Sequence, residues 1–159
     1  MKLRVYIDPG KNGCGVSVFV EKSLLAARYV KSIGGAIHPL FEVVGEVEKY
    51  LACVLADEDF DVVIELPQVY EAAHQKGDQQ DLINLAVVVG GLARGINRPV
   101  SFVLPRDWKG QVPKEITQQR AKEVLDDSEF EAVVLPAASL AHNVWDAVAM
   151  GLHFAGRIK

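Results

Sequence analysis

Residues 3–20 read LRVYIDPGKNGCGVSVFV, and this stretch decides the fold. Its first six residues alternate apolar and other side chains, which predicts a β-strand that ends at Asp8. The PGKNG segment that follows, residues 9–13, has the composition of a tight turn. A second β-rich run covers residues 14–20. The sequence therefore predicts two strands joined by a short loop, with a carboxylate where the loop begins.

The remaining elements follow from changes in hydrophobic periodicity. A third strand completes an antiparallel meander. After it, apolar residues recur at helical spacing. The segment DVVIEL, residues 61–66, then has the nearly continuous apolar character of a strand buried on both faces. The order is β-β-β-α-β-α-β followed by two helices. We therefore expect an α/β fold in one domain, residues 1–159, with strands over residues 24–32, 61–66 and 100–104 and helices over residues 39–56, 79–95, 114–126 and 140–155.

Composition limits the class of protein. Half of the 159 residues are hydrophobic, enough for one buried core, and no apolar run reaches the length of about 18 residues that a membrane span needs. We expect no membrane partner and a soluble, cytoplasmic protein. Cys14 and Cys53 lack the spacing of a disulfide framework or zinc site, and their apolar neighbours predict that both are core residues.

Charge is unevenly distributed along the chain. The net charge of −4 by itself argues mildly against a nucleic-acid partner, because phosphate binding depends on Lys and Arg. Residues 94–122, however, contain seven basic residues and two acidic ones. A basic segment on an acidic body is compatible with a DNA-facing surface, and equally with a solvated helix and loop, so charge alone decides nothing.

Three acidic residues stand in apolar surroundings where a charge is costly. Asp8 ends the first strand, Glu65 nearly ends the fourth, and Asp146 lies within the largely apolar NVWDAVA, residues 143–149. Buried carboxylates need partners, and no Arg or Lys is regularly placed beside these in the sequence. A divalent metal such as Mg²⁺, which prefers oxygen ligands, is the simplest partner. Each acid taken singly is more often a turn, a solvated strand end or a surface helix pair.

The combination is more specific than its parts. IDPG at residues 7–10, the β-rich run from Gly13, the Ile64-Glu65 pair and NVWDAVA resemble, in order and spacing, the three acidic motifs of RuvC-type Holliday-junction resolvases. Three further segments are similar to the RuvC-like proteins of bacteriophages: ELPQVY (65–70), QKGD (75–78) and WKGQVPK (108–114). The resemblance covers nearly the whole chain, and it implies that the cytoplasm is that of a bacterial or phage-infected bacterial cell.

This resemblance implies an RNase H-like fold, with a central mixed sheet of five strands, three antiparallel continuing into parallel ones, flanked by helices. It implies a homodimeric endonuclease that resolves four-way junctions, with forks and flaps as further candidate substrates. Two Mg²⁺ ions, or Mn²⁺ in their place, would be held by Asp8, Glu65 and Asp146, with Asp8 bridging. The products would be a 5′-phosphate and a 3′-hydroxyl.

The fourth metal-site position is open. Cellular RuvC proteins carry Asp or His three residues before the final Asp, where this chain has Asn143, and His142 stands one residue further back. Both positions share a helix face with Asp146. Chemistry favours His142, because imidazole can bind a metal or transfer a proton, whereas register favours Asn143.

The same resemblance suggests DNA-contacting residues. Lys109 and Lys114 match basic residues of the family's DNA-facing segment, so phosphate contact is expected for both. Trp108 stacks on an unpaired base or, as the preferred interpretation, anchors its loop in the core. The complete set expected to bind DNA is Lys11, Gln68, Lys76, Trp108, Lys109 and Lys114. The apolar helix over residues 79–95 is a candidate dimer surface, and burial in the core explains it about as well.

Two other functions remain possible from the sequence. A phosphate-binding ATPase lobe of the actin and sugar-kinase type also opens with an acidic strand and a glycine-rich turn, but such enzymes need two lobes. A non-catalytic module for branched DNA is the second alternative, against which the three intact acids argue. Assays of DNA cleavage and of ATP hydrolysis distinguish the three functions.

Overall fold

A computed structural model describes residues 2–35, 37–56, 58–69 and 78–159, and the elements lie close to where the periodicity places them. The predicted order β-β-β-α-β-α-β is found, and three short elements come after it. In chain order the elements are β1 (Leu3–Asp8), β2 (Gly13–Val20), β3 (Ser23–Lys31), α1 (Pro39–Leu55), β4 (Phe60–Glu65), α2 (Gln79–Gly95), β5 (Val100–Val103), α3 (Pro105–Trp108), α4 (Lys114–Val124), α5 (Asp127–Glu131), β6 (Val133–Val134) and α6 (Ala141–Phe154).

One mixed sheet organises these elements, with the strand order β5-β4-β1-β2-β3-β6. The strands β1, β2 and β3 form the predicted antiparallel meander, and β4 and β5 continue it in parallel from β1. The sheet has six strands rather than the five expected. The additional strand, β6, pairs in parallel with Ala27 and Arg28 of β3 and is only two residues long, too short to produce a periodic signal.

Alternation along the strands decides what each face of the sheet carries. Val5 and Ile7 of β1 point to a core cluster shared with α1 and α2, whereas Tyr6 points to a second cluster shared with α6. In β4, Ile64 faces the first cluster and Val63 the second. Side chains on a strand alternate between faces, so the residues one step beyond Ile7 and Ile64 face α6.

The two clusters enclose the sheet between helices. The α1 and α2 helices cover one face through their fully or nearly fully buried residues, including Val43, Val47, Leu51 and Leu92. The α6 helix covers the other, where residues 144–152 are all buried. Burial of each large aliphatic side chain contributes about 1.5–3 kcal/mol, and these layers fix where α6 lies on the sheet.

A glycine on β2 sets how closely α6 approaches. A Cβ atom at Gly15 would collide with the backbone carbonyl of Asn143 at the start of α6. Gly15 also pairs with Asp8 across the β1–β2 ladder. The missing side chain therefore lets the first turn of α6 lie directly over the strand that neighbours Asp8.

Several details differ from the sequence-based expectations. Cys14 is buried as predicted, but the prediction that Cys53 is a core residue is wrong, because Cys53 is exposed. On α1 the helical period places Leu51 and Leu55 against the sheet and turns Cys53 outward. The predicted helix over residues 114–126 ends at Val124, and the short helices α3 and α5 were not predicted.

A buried ion pair closes the molecule beside the start of β3. Both carboxylate oxygens of Glu129 accept from the Arg157 guanidinium, at 2.5 and 2.8 Å, and Oε1 also accepts from the backbone N–H of Leu24 at 2.8 Å. The hydrogen bond from Arg157 is the largest of the effects that together lower the pKa of Glu129 to about 2.

In the ranges that the structure describes, no helix is long and apolar enough to cross a membrane.

Candidate active site

Three carboxylates meet at one edge of the sheet. Ile7 and Ile64 are paired in the parallel β1–β4 ladder, so Asp8 and Glu65 lie one position further on adjacent strands and on the same face. That face is covered by α6, which carries Asp146 with only 3% of its surface exposed. The structure thus brings together Asp8, Glu65 and Asp146, which the sequence predicted from three distant motifs.

Burial dominates the electrostatics of this cluster, and repulsion between the carboxylates adds to its effect. Desolvation, followed by the negative charges of Glu65 and Asp146, raises the pKa of Asp8 well above its ordinary value. Desolvation also raises the pKa of Glu65, against the opposing effects of Lys109 and of the hydrogen bond from Trp108. Carboxylates arranged in this way hold concentrated negative charge and gain from a neighbouring cation.

Two lysines supply positive charge at the site. The ammonium of Lys114 lies 2.6 Å from Oδ2 of Asp146, and that of Lys109 lies 3.7 Å from Oε2 of Glu65. The sequence has no Arg or Lys regularly placed beside these acids, but the fold brings two lysines to them. Both lysines follow the fifth strand in sequence, and only the tertiary fold returns them to the carboxylates.

Two neutral donors complete the shell around the acids. The indole Nε1 of Trp108 donates to Oε2 of Glu65 at 2.6 Å, and Trp108 is buried, with 4% of its surface exposed. That burial agrees with the preferred interpretation of Trp108 as an anchor. Nε2 of Gln118 donates to Oδ1 of Asp146 at 2.9 Å. Gln118 was missed by sequence reasoning, although it stands one helical turn after Lys114 on α4, and this i,i+4 relationship was the available signal.

The residues fit a divalent cation by chemistry. Three carboxylates from three elements provide hard oxygen donors, and their repulsion is the condition that a cation relieves. As the side chains are placed, no three His, Cys, Asp or Glu groups in the described ranges stand close enough to form a ligand set. The ammonium groups of Lys109 and Lys114 instead neutralise Glu65 and Asp146, so a bound cation would have to exchange with them.

His142 and Asn143, the two candidates for the fourth position, both belong to the first turn of α6. His142 is exposed, and its backbone carbonyl accepts from Gln118 at 3.4 Å. Asn143 is half-buried, with Nδ2 donating to the carbonyl of Leu140 at 3.4 Å. The choice between them remains a prediction.

The other residues expected to contact DNA are spread around this edge. Lys11, in the loop after Asp8, is ion-paired with Asp81 of α2 at 2.7 Å. Gln68 follows β4, and its Oε1 is buried without a hydrogen-bond partner among the described residues. Lys76 lies outside the described residues.

Comparison with solved structures identifies proteins of the same fold. RuvC of Thermus thermophilus in complex with a Holliday junction substrate matches with a TM-score of 0.65 and 21% identity, over 98% of this chain and 93% of that chain. A second structure of Thermus thermophilus RuvC gives 0.64 and 21%, over 96% and 93%. The yeast mitochondrial Holliday junction resolvase Ydc2 gives 0.52 and 8%, over 97% and 80%.

No protein-family model matches the sequence, and no curated protein does. At these identities the structural likeness concerns the fold. It confirms the expected α/β architecture, one mixed sheet flanked by helices, which this chain shares with the RuvC structures.

Proposed function

We propose that this chain is a metal-dependent endonuclease that cuts branched DNA, with four-way junctions as its principal substrate. The single observation that carries the proposal is the convergence of Asp8, Glu65 and Asp146 on adjacent elements at one edge of the sheet. Structures of this fold include a RuvC protein with a Holliday junction substrate, which supports the substrate class.

Each carboxylate has a distinct position in the proposed reaction. Burial and then the negative charges of both other acids raise the pKa of Asp8, so Asp8 interacts with each of them and is the expected bridging ligand. Glu65 and Asp146 would each hold one ion, Mg²⁺ or Mn²⁺. When bound, the ions supply a polarised phosphate and a more acidic water, and the expected products carry 5′-phosphate and 3′-hydroxyl ends.

The donors beside the acids hold the carboxylates in place. Trp108 fixes one oxygen of Glu65, which leaves the other oxygen for ligation. Gln118 fixes one oxygen of Asp146, and the other oxygen is ion-paired with Lys114. Lys109 and Lys114 are ion-paired with Glu65 and Asp146. We expect both ammonium groups to turn to DNA phosphates when cations neutralise the carboxylates, since a phosphate then becomes the strongest available anion.

A homodimer belongs to this proposal, because two symmetric cuts of a four-way junction suit a protein with a two-fold axis. The α2 helix packs on the core through Val88, Val89 and Leu92. Its first half presents an exposed apolar stripe that includes Ile83 and Val87. An exposed stripe on a helix that is otherwise part of the core is a suitable surface for a second copy.

The proposal is tested with a labelled four-way junction and a linear duplex of the same sequence. We expect Mg²⁺-dependent cleavage of the junction, abolished by EDTA and by Glu65→Gln, with nicks that a DNA ligase can reseal. Glu58→Gln, which neutralises an exposed acid at the opposite edge of the sheet, is the control variant for the loss of one negative charge. Sedimentation velocity measures the dimer.

Other results would replace the proposal. Tight junction binding with no cleavage in Mg²⁺ or Mn²⁺ would favour a non-catalytic DNA-binding module. ATP hydrolysis without DNA cleavage would favour the phosphate-binding ATPase lobe.

A further inference from the structure

A groove with a volume of about 630 Å³ lies beside β3, on the side of the molecule away from β4 and β5. Its walls are β3, the middle of α1 and the segment that leads into α6. The short strand β6 pairs only with Ala27 and Arg28, so the later part of β3 forms the floor of this groove. None of the catalytic carboxylates lines it.

The lining of the groove is basic and aromatic. Three cations, Arg28, Lys31 and Lys49, face a single acid, Glu46, which lies 2.6 Å from Lys49. The Arg28 guanidinium stacks on the Tyr50 ring at 5.3 Å from its centroid. This excess of positive charge stands on a chain with net charge −4, so the local composition is opposite in sign to the whole.

The groove leads to the carboxylate edge. The β3 strand is antiparallel to β2, which is antiparallel to β1, so β3 ends at the same edge as Asp8. A Cβ atom at Gly13, the first residue of β2, would lie 2.6 Å from the ring of Tyr29. The backbone N–H of Ser32 donates to the carbonyl of Asn12 at 3.2 Å.

An apolar rim at this end is held rigidly. The carboxylate of Glu42, buried at the start of α1, accepts from the hydroxyl of Ser32 and, at 2.9 Å, from the backbone N–H of Gly34. These contacts fix the segment that carries Ile33, whose surface is 69% exposed. A large apolar side chain that is both exposed and rigidly supported is suited to contact a base or sugar at the mouth of the groove.

We infer that this groove binds the sugar-phosphate backbone of one DNA strand on its way to the carboxylate edge, with Arg28, Lys31 and Lys49 as phosphate contacts. The inference rests on the proposed function and adds a second DNA-contacting surface to it. A basic channel with aromatic side chains is the arrangement by which proteins follow a strand without reading its sequence. A polypeptide strand added to β3 would not require three cations.

Cys53 permits a direct test, because it is exposed and lines the groove. Burial raises the pKa of the other thiol, Cys14, to about 12, so a thiol reagent modifies Cys53 selectively. A photoactivatable azidophenyl group on Cys53 should crosslink to one strand of a labelled four-way junction in EDTA. The matched control carries the same group on Lys22→Cys in a Cys53→Ser background. Crosslinking no stronger than this control would overturn the inference.

A charge test gives independent evidence. The double variant Lys31→Gln/Lys49→Gln should bind the junction about 10-fold more weakly and lower the salt slope by roughly one to two, since each neutralised phosphate contributes somewhat less than one. Lys2→Gln/Lys22→Gln removes the same charge at the opposite edge and should bind as the parent does.

The outcomes separate the groove from the proposed nuclease. If the parent chain cleaves the junction and the two double variants bind it equally well, the groove inference is overturned and the nuclease proposal stands. Crosslinking at Cys53 without any cleavage would overturn the nuclease and support the groove. Absence of junction binding by the parent chain would overturn both.

Discussion

The indole Nε1 of Trp108 and Oε2 of Glu65 are 2.6 Å apart, and both side chains are largely buried. This hydrogen bond makes the loop after β5 part of the carboxylate site. It occupies one oxygen of Glu65 and restricts the rotation of its carboxylate. A donor that orients a metal-binding carboxylate commonly contributes as much to metal affinity as a weak metal ligand does.

Replacement of Trp108 by Phe should therefore reduce cleavage by about 10- to 100-fold and raise the Mg²⁺ concentration required, because Glu65 loses its fixed orientation. Single-turnover cleavage over a Mg²⁺ titration measures both effects. Trp145→Phe removes the same volume from the same apolar cluster and is the control for packing. Equal losses in the two variants would mean that Trp108 acts only through the core.

Asp8→Asn should abolish cleavage and stabilise the metal-free protein. Desolvation and the charges of Glu65 and Asp146 raise the pKa of Asp8 in the folded state, so the folded protein loses stability as pH rises through the interval between the unfolded and folded values. The neutral Asn removes that penalty, and we expect a gain of roughly 0.5–2 kcal/mol at neutral pH. Urea unfolding in EDTA measures it, and cleavage near the parental rate would contradict the site assignment.

Lys114→Gln should strengthen the binding of a divalent metal ion and weaken the binding of DNA. The Lys114 ammonium lies 2.6 Å from Asp146, where it competes with a cation for the carboxylate. Its loss should tighten Mn²⁺ binding several-fold in the absence of DNA, measured by electron paramagnetic resonance. The same variant should weaken junction binding and lower the salt slope by about one. If Mn²⁺ affinity falls instead, Lys114 is not a competitor.

Lys109→Ala tests the other lysine through the salt dependence of junction binding. Its ammonium is farther from its acid, at 3.7 Å, and lies 4.9 Å from the centroid of the Trp108 ring. We expect weaker junction binding and a salt slope lower by about one, if Lys109 neutralises one phosphate. An unchanged slope would place Lys109 away from the DNA.

The residues His142 and Asn143 should differ in their effect on Mg²⁺-dependent cleavage. If His142 contacts metal or phosphate, His142→Ala should lower the rate by about 10- to 100-fold and raise the Mg²⁺ requirement, while Asn143→Ala has a smaller effect. A purely structural His142 would change stability by roughly 0.5 kcal/mol and leave the rate unchanged. A larger effect of Asn143→Ala would assign the fourth position to Asn143.

The pair formed by Glu129 and Arg157 predicts a specific acid sensitivity. Glu129 has a pKa of about 2 in the folded protein against an ordinary value of 4.5, so its stabilisation is present above the ordinary value and is lost as pH falls towards 2. Glu129→Gln should lower the free energy of unfolding at neutral pH by on the order of 2 kcal/mol, allowing for solvent screening. Its stability should then vary less between about pH 5 and pH 2 than that of the parent. Parallel urea titrations across this range test the difference.

Much of the fold was predictable because the strands and long helices carry complete periodic patterns. Asp8 and Glu65 were found as charges at the ends of apolar strands, and their common face follows from alternation together with the register of β1 and β4. The short elements α3, α5 and β6 contain two to five residues, fewer than a period-based argument needs.

The shell around the acids was harder to predict, because it depends on contacts between distant segments. The hydrogen bond between Trp108 and Glu65 joins residues 43 positions apart, and that between Gln118 and Asp146 joins residues 28 apart. Local patterns contain no information on such distances. The inward position of Lys114 was missed for the same reason.

The dependence of the carboxylate cluster on α6 has a consequence for biosynthesis. Asp8 and Glu65 become neighbours once β1 pairs with β4, but Asp146 joins them only when α6 docks over Gly15. Contacts between segments so distant in sequence form late, because a long intervening loop must first be ordered. Under the proposed function, a growing or half-folded chain would lack the third carboxylate, so hydrolysis of DNA would begin only after α6 has docked.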